Sequence, residues 1–169
     1  LGIILKYKND IDQNQTINIK QKFIVKDNSI ESLKNPSLSV IGAGNYSGRV
    51  LIPALHKYGA NLNTITANNG IKPLILGEKF GFKKASTDVN STINSKESDI
   101  IVIATRHNSH GELIIKALNA GKHIFVEKPI GFGHDDSFRM AKIIENSKVI
   151  FQTGYFFRSK SVVRKIKEL

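Results

Sequence analysis

Short apolar runs alternate with amphipathic stretches along most of this chain. The clearest run is DIIVIA at residues 99–104, which is apolar almost without interruption, as expected for a parallel strand covered on both faces. The clearest amphipathic stretch is 109–119, where apolar residues recur at helical spacing. From residue 37 onward, strand and helix patterns alternate about five times. This alternation predicts a doubly wound parallel α/β sheet.

The pattern also predicts where most elements begin and end. The predicted strands are 38–41, 62–67, 82–86, 99–104, 122–126 and 149–156, and the predicted helices are 46–58, 71–80, 88–93, 109–119, 135–146 and 159–169. Glycines at 59, 81 and 121 are expected to end the helices before them. Pro53 lies inside the first helix and is expected to bend it, because proline removes one helical hydrogen bond.

Residues 1–36 do not continue this pattern. They are interpreted as the tail of a preceding domain with a linker, or as a hairpin on the main domain, which spans 37–156. The first residue is Leu1 and the single methionine is Met140. We therefore expect the sequence to be part of a longer chain.

The net charge of +11 raises the hypothesis of a nucleic-acid binder. However, the lysines are spread along the chain, so the charge is interpreted as a solubility and steering feature. The chain has no cysteine, which excludes disulfides and thiolate zinc sites and suits a cytoplasmic location. No apolar run approaches the roughly 18 residues of a membrane helix. We expect neither a nucleic-acid partner nor a membrane partner.

A glycine-rich turn, GAGNYSG at residues 42–48, directly follows the first predicted strand. Free amides at a helix start attract anions, and a dinucleotide pyrophosphate is the usual occupant. Gly42 would form the tight turn and Gly44 would let the backbone approach the ligand. Ser47 stands where the third fingerprint glycine is expected, and a small serine still permits close packing. Alone the pattern is weak, because GxG also occurs in ordinary turns.

The residue that contacts the adenosine ribose is expected about 20 positions further on, after the second strand. Asn68 and Asn69 stand there, and neither is a carboxylate. A carboxylate would favour NAD, whereas the nearby Lys72 could meet a phosphate. The choice between NAD and NADP therefore stays open.

Polar side chains also follow the strongest strand, in TRHNSH at residues 105–110. His107 and His110 raise the hypothesis of a metal site, but no third ligand is evident and a helix start disfavours a cation. No metal is predicted. Asn108 or Ser109 is expected to cap the following helix.

Glu127, Lys128 and Pro129 follow the next strand. A lysine at a strand end in a cleft suits proton transfer, and the proline restricts its backbone to extended geometry. The alternative is a solvated lysine in a turn. All these candidate segments follow predicted strands, and in open α/β sheets ligands bind at those ends.

The stretch ATRHNSHGELIIKALNAGKHIFVEKPI, residues 104–130, resembles the signature of the Gfo/Idh/MocA family of nicotinamide-dependent oxidoreductases. The resemblance extends over about 37–157 and implies a Rossmann fold. GAGNYSGRVLIPAL with ATRHNSH resembles, more narrowly, bi-domain members in which an alcohol-dehydrogenase-like domain precedes this one. Residues 157–169 would then begin a truncated α+β substrate domain, through which a homo-oligomer could form.

The resemblance also implies site residues. Lys128 matches the catalytic lysine, and its bond to Pro129 is expected to be cis. The resemblance further implies cofactor or cleft contacts by Gly42, Gly44, Asn45, Tyr46, Thr105, Asn108, His110 and Glu127. With Ser47, Asn68, Arg106 and Lys128, which follow the same predicted strands, these are the predicted cofactor-binding residues. Arg106 stands where many members have proline, and GYFFR at 154–158 departs from the usual GYNRRF.

The function implied is hydride transfer between NAD or NADP and a hydroxyl or carbonyl of a sugar or sugar nucleotide, in polysaccharide biosynthesis. The alternative is a non-catalytic nucleotide-binding or scaffold module. Because the substrate domain would be almost absent, the stretch itself is expected to be catalytically incomplete.

Overall fold

A computed structural model describes residues 34–131, 133–155, 160, 161 and 165, without the side chains of residues 134 and 136. These residues belong to one unit, residues 33–169. The predictions for residues 1–33 and for most of 157–169 lie outside the described residues.

Six parallel strands form one sheet, as the alternating pattern predicted. Their spatial order is β3-β2-β1-β4-β5-β6. The strands are Ser37–Ile41 (β1), Asn61–Thr66 (β2), Lys84–Ser86 (β3), Ile100–Ile103 (β4), His123–Val126 (β5) and Phe151–Thr153 (β6). The last strand is shorter than the predicted 149–156. The other strands differ from prediction only at their ends.

Helices connect the strands. They are Ile52–Lys57 (α1), Ile71–Phe80 (α2), Val89–Asn94 (α3), His110–Asn119 (α4) and Gly133–Glu145 (α5), with a π-helical turn at Ser47–Leu51 and a 3-10 turn at His107–Ser109. Gly81 ends α2 in a left-handed conformation, as predicted, with φ of 74°. Within the described part of the chain, no helix has both the length and the apolar character needed to cross a bilayer.

Alternate residues of the central strands pack on opposite faces of the sheet. On β4, Ile101 and Ile103 are fully buried in one core with α4, whereas Val102 is buried in the other core with α1. This two-sided burial explains why the strand appears in the sequence as an unbroken apolar run.

The first helical segment agrees with the predicted 46–58, since residues 45–57 are helical without a break, but it contains a π-helical turn. Ile52 N–H donates to the Ser47 carbonyl five residues earlier, which makes a π-helical turn, and α1 begins only at Ile52. Pro53 has no N–H to donate and therefore favours the start of a helix over its interior. The irregularity that Pro53 was expected to cause in this helix is therefore a π-helical turn that precedes the proline.

The strands β1 and β4 are neighbours although β2 and β3 lie between them in sequence. Connections from β1 and from β4 leave in opposite directions along the sheet, which opens a crevice between their carboxyl ends. The turn after β1 and the segment after β4 meet there.

Candidate functional site

A cleft of about 950 Å³ lies at the carboxyl ends of β1, β2 and β4. It brings together residues predicted from three separate segments. The predicted site residues that line it are Gly42, Gly44, Asn45, Tyr46, Ser47, Asn68, Thr105, Arg106 and Asn108. The remaining three, His110, Glu127 and Lys128, do not line it.

Gly42 fixes the turn after β1. Its φ is +117°, and a Cβ there would lie 2.4 Å from the carbonyl oxygen of Ala104. Its N–H donates to the Thr66 carbonyl at 2.8 Å. Both the backbone conformation and the contact with the end of β4 therefore require glycine at this position.

Gly44 has no such packing requirement. It is exposed in the cleft, and a Cβ there would meet nothing within 4 Å. The open space above its backbone is what the predicted close approach of a ligand needs.

Ser47 occupies the position of the third fingerprint glycine. It is 1% exposed, and its Oγ has no hydrogen-bond partner among the described residues. An unpaired buried hydroxyl costs about 1–3 kcal/mol, so a ligand oxygen that paired with it would be favoured. Because Ser47 lines the cleft where the helical segment starts, this hydroxyl and the nearby backbone amides fit a dinucleotide pyrophosphate.

At the end of β2, Asn68 is exposed and lines the cleft together with Lys72. The Oδ1 of Asn69 accepts a hydrogen bond from Ile71 N–H at 3.0 Å, so this side chain pairs with the first amide of α2. Among the described cleft residues, Glu112 is the one carboxylate, and it pairs with Lys116 at 2.8 Å on α4.

The segment after β4 is held by its own side chains. The Thr105 Oγ1 and Ser109 Oγ lie 2.7 Å apart, and Ser109 Oγ donates to the Arg106 carbonyl at 2.8 Å. Ser109 is the residue before α4, as predicted, but its hydroxyl turns back and does not cap the helix. Arg106 and Asn108 are left exposed at the cleft.

His110 lies beneath the cleft and not on its surface, which corrects its predicted position. It is fully buried, with Nδ1 2.7 Å from the Pro129 carbonyl oxygen and Nε2 3.2 Å from that of Thr105. Both partners are carbonyl oxygens, which accept a hydrogen bond from a ring N–H. His110 therefore ties the segment after β4 to the segment after β5.

The engagement of both ring nitrogens also leaves His110 unable to ligate a metal with its neighbour His107. The two rings lie 5.7 Å apart at an angle of 67°. Within the described residues, no group of three or more His, Asp or Glu side chains is arranged to hold a metal ion.

Lys128 is exposed just beyond β5, and its peptide bond to Pro129 is cis, as the resemblance implied. Because β5 pairs directly with β4, Lys128 lies at the same edge of the sheet as the cleft. The contact from His110 to the Pro129 carbonyl holds the backbone beside the lysine.

Glu127 connects this segment with the glycine turn. Its carboxylate lies near the Tyr46 hydroxyl, and it packs so closely on Gly154 that a Cβ there would lie 2.7 Å from Oε1. Partial burial raises the pKa of the Tyr46 hydroxyl, and its interaction with the negatively charged Glu127 carboxylate adds to this effect. The sequence indicated Tyr46 and Glu127 separately, but not their contact.

Arg49, which is not among the residues predicted from the sequence, lines a smaller pocket beside the cleft with Lys72. A signal was present, since Arg49 follows Asn45 by four residues and so lies on the same side of a helical segment.

Comparisons with known proteins agree with this geometry. The family model described as GFO_IDH_MocA, "Oxidoreductase family, NAD-binding Rossmann fold", matches residues 37–155. An uncharacterized oxidoreductase of Streptococcus pneumoniae is 31% identical over 131 residues, which cover 77% of this chain and 35% of that protein. The myo-inositol 2-dehydrogenase of Thermotoga maritima is 34% identical over 91 residues, 54% of this chain and 27% of the relative.

Among solved structures, myo-inositol 2-dehydrogenase from Lactobacillus plantarum matches with a TM-score of 0.70 and 27% identity, over 80% of this chain and 40% of that one. The chain thus spans about a quarter to a third of the length of the curated relatives named here. The described cleft and the match over 37–155 agree, and the chain belongs to the Gfo/Idh/MocA oxidoreductase family, with its NAD-binding Rossmann fold.

Proposed function

We propose that this chain provides the cofactor-binding part of an oxidoreductase that interconverts a hydroxyl and a carbonyl on a sugar or cyclic polyol. The observation that carries the proposal is the cleft at the β1–β4 crevice, with Lys128 at the end of the adjoining strand β5. The myo-inositol 2-dehydrogenases among the relatives support a polyhydroxylated ring as the substrate class.

The cofactor proposed for the cleft is NAD or NADP, which supplies the hydride acceptor or donor when bound. This chain's residues bind and orient it. Gly44 leaves open space at its backbone, and Gly44 and Ser47 line the cleft at the position proposed for the pyrophosphate. Tyr46, which interacts with the Glu127 carboxylate, extends the binding surface toward β5.

Lys128 is proposed to hold and move the proton of the reacting hydroxyl. When the substrate is oxidised, its Nζ accepts the proton as the C–H bond is lost as hydride, and in the reverse direction it returns that proton. His110 positions the lysine through the Pro129 carbonyl. Thr105 and Asn108 are proposed to contact the nicotinamide ribose from the other side of the cleft.

The proposed setting is polysaccharide biosynthesis with a sugar-nucleotide substrate. The resemblance of residues 42–55 and 104–110 to bi-domain oxidoreductases supports it. This setting predicts that a nucleotide-linked sugar is turned over faster than the free sugar or myo-inositol.

Two measurements on the whole protein test the function. Calorimetric titration with NADH and NADPH is expected to show binding, and turnover of sugars and polyols is expected to fall by about 100-fold or more in Lys128→Ala. Lys96→Ala removes another exposed lysine, away from the cleft, and is the matched control. Absence of binding by either dinucleotide would rule the proposal out, and binding without any turnover would favour the non-catalytic module.

A further inference from the structure

A second, smaller pocket opens beside the cleft, between the π-helical turn and α2. Its volume is about 220 Å³, and it is lined by Arg49 and Lys72 above an apolar floor that includes Ile75 and Leu76. Pockets that enclose a whole small molecule usually have about 300–1,000 Å³. This pocket therefore suits one charged substituent of a larger ligand.

The pocket is continuous with the cleft. Both are lined by Ala43, Gly44, Asn45 and Lys72. A ligand that lies along the glycine turn can therefore place one group in the pocket. Gly48 helps to form it, because a Cβ there would lie 3.2 Å from the Leu76 Cδ1 and any larger residue would press into the pocket floor.

The charge of the pocket is positive. None of the described residues that line it is Asp or Glu, and neither Arg49 nor Lys72 forms an ion pair with another described residue. A guanidinium presents paired N–H donors that match a phosphate, and an ammonium adds a compact charge. The pocket thus fits a phosphate group.

The end of β2 lacks the group that would favour an unphosphorylated ribose. A carboxylate there bonds the ribose 2′-hydroxyl of NAD and repels a 2′-phosphate. This chain has Asn68 exposed at that place, and the Oδ1 of Asn69 accepts from Ile71 N–H. Lys72, the second residue of α2, lines both the cleft and the pocket.

We propose that this pocket binds the 2′-phosphate of NADP through Arg49 and Lys72, so that the protein prefers NADP(H) to NAD(H). The inference rests on the proposed function, because it requires the dinucleotide to lie along the glycine turn. Arg49 and Lys72 are specificity-determining residues in this arrangement, and the Asn68 side chain permits the phosphate.

The test compares dissociation constants of the whole protein for NADPH and NADH. NADPH is expected to bind about tenfold more tightly or better, since hydrogen bonds to charged groups are among the strongest. The variants Arg49→Gln and Lys72→Gln should each weaken the binding of NADPH by about tenfold. Each should change the affinity for NADH by less than about twofold. Adenosine 2′,5′-bisphosphate should likewise bind more tightly than 5′-AMP, although neither compound contains a nicotinamide.

Two further variants sharpen the result. Lys79→Gln is the matched control, because Lys79 is exposed in the last turn of the same helix, about 10 Å along its axis from Lys72, and lines neither cavity. It should leave both affinities unchanged. Asn68→Asp introduces the missing carboxylate and should shift the preference toward NADH by about tenfold or more.

Equal or tighter binding of NADH by the unmodified protein would overturn the inference. Equal losses for NADPH and NADH in Arg49→Gln would also overturn it, because the arginine would then contact the pyrophosphate common to both. A protein that shows the NADPH preference but turns over no sugar or polyol would sustain the pocket assignment and contradict the proposed reaction. Binding of neither dinucleotide would contradict both.

Discussion

The carboxylate of Glu127 is packed against Gly154, where a Cβ would lie 2.7 Å from Oε1. This contact joins the ends of β5 and β6, and the Glu127 carboxylate also interacts with the Tyr46 hydroxyl on the turn after β1. One carboxylate thus relates the cofactor turn to the segment that carries Lys128.

Gly154→Ala tests this relationship. The added methyl group should displace the Glu127 carboxylate and weaken its interaction with Tyr46, because the gap to Oε1 is too short for any Cβ. We expect cofactor affinity to fall by about fivefold to tenfold, in line with the loss of one polar interaction of about 1 kcal/mol. Calorimetric titration measures this, with Tyr46→Phe as the reference variant. If Gly154→Ala bound the cofactor as the unmodified protein does, Glu127 would not need the space above Gly154.

Alkaline pH should reveal the Tyr46–Glu127 contact. The pKa of Tyr46 lies above 10.0 in the folded protein. Folding therefore favours the neutral phenol. The stability that this adds is complete below the unfolded-state pKa and is lost as pH rises through the folded-state value. The free energy of unfolding should accordingly fall less steeply above pH about 10 in Tyr46→Phe than in the unmodified protein. Identical pH profiles from urea unfolding would contradict the contact.

The glycines of the turn should separate into one structural and one binding position. Gly42→Ala should lower the free energy of unfolding by about 2–4 kcal/mol, because it strains a left-handed backbone and overlaps the Ala104 carbonyl. Gly44→Ala should change stability by less than about 1 kcal/mol, since its Cβ would meet open space, and should weaken cofactor binding by about tenfold. Urea unfolding and calorimetry measure the two effects. A stable Gly42→Ala protein, or unchanged cofactor binding by Gly44→Ala, would contradict this division.

His110→Ala should affect both stability and turnover. The change leaves a buried cavity and two carbonyls without their partner. We therefore expect the free energy of unfolding to fall by about 2–4 kcal/mol. Turnover should fall further than cofactor affinity, because the backbone beside Lys128 loses its support. His107→Ala is the matched control: His107 is exposed, so its replacement should change neither the stability nor the turnover of the protein. Equal effects of the two variants in thermal unfolding would refute the positioning role of His110.

Most of the sheet could be predicted because its signals are local. The apolar run at 99–104 becomes β4, the periodic stretch at 109–119 becomes α4 with a 3-10 turn before it, and Gly81 ends α2. Strand ends are local features as well, and in parallel sheets they share one edge. The candidate segments could therefore be assigned to one site before the strand order was known.

The sequence by itself determined the alternation of strands and helices, the glycine turn and the polar segments after each strand, since each depends on residues close together in the chain. Only the tertiary structure decided that Gly42 packs on Ala104, that His110 is buried under the cleft, and that Arg49 joins Lys72 in one pocket. These relationships join residues that are far apart in sequence. They arise when β1 pairs with β4 and the π-helical turn packs against α2, and no periodicity in the chain encodes them.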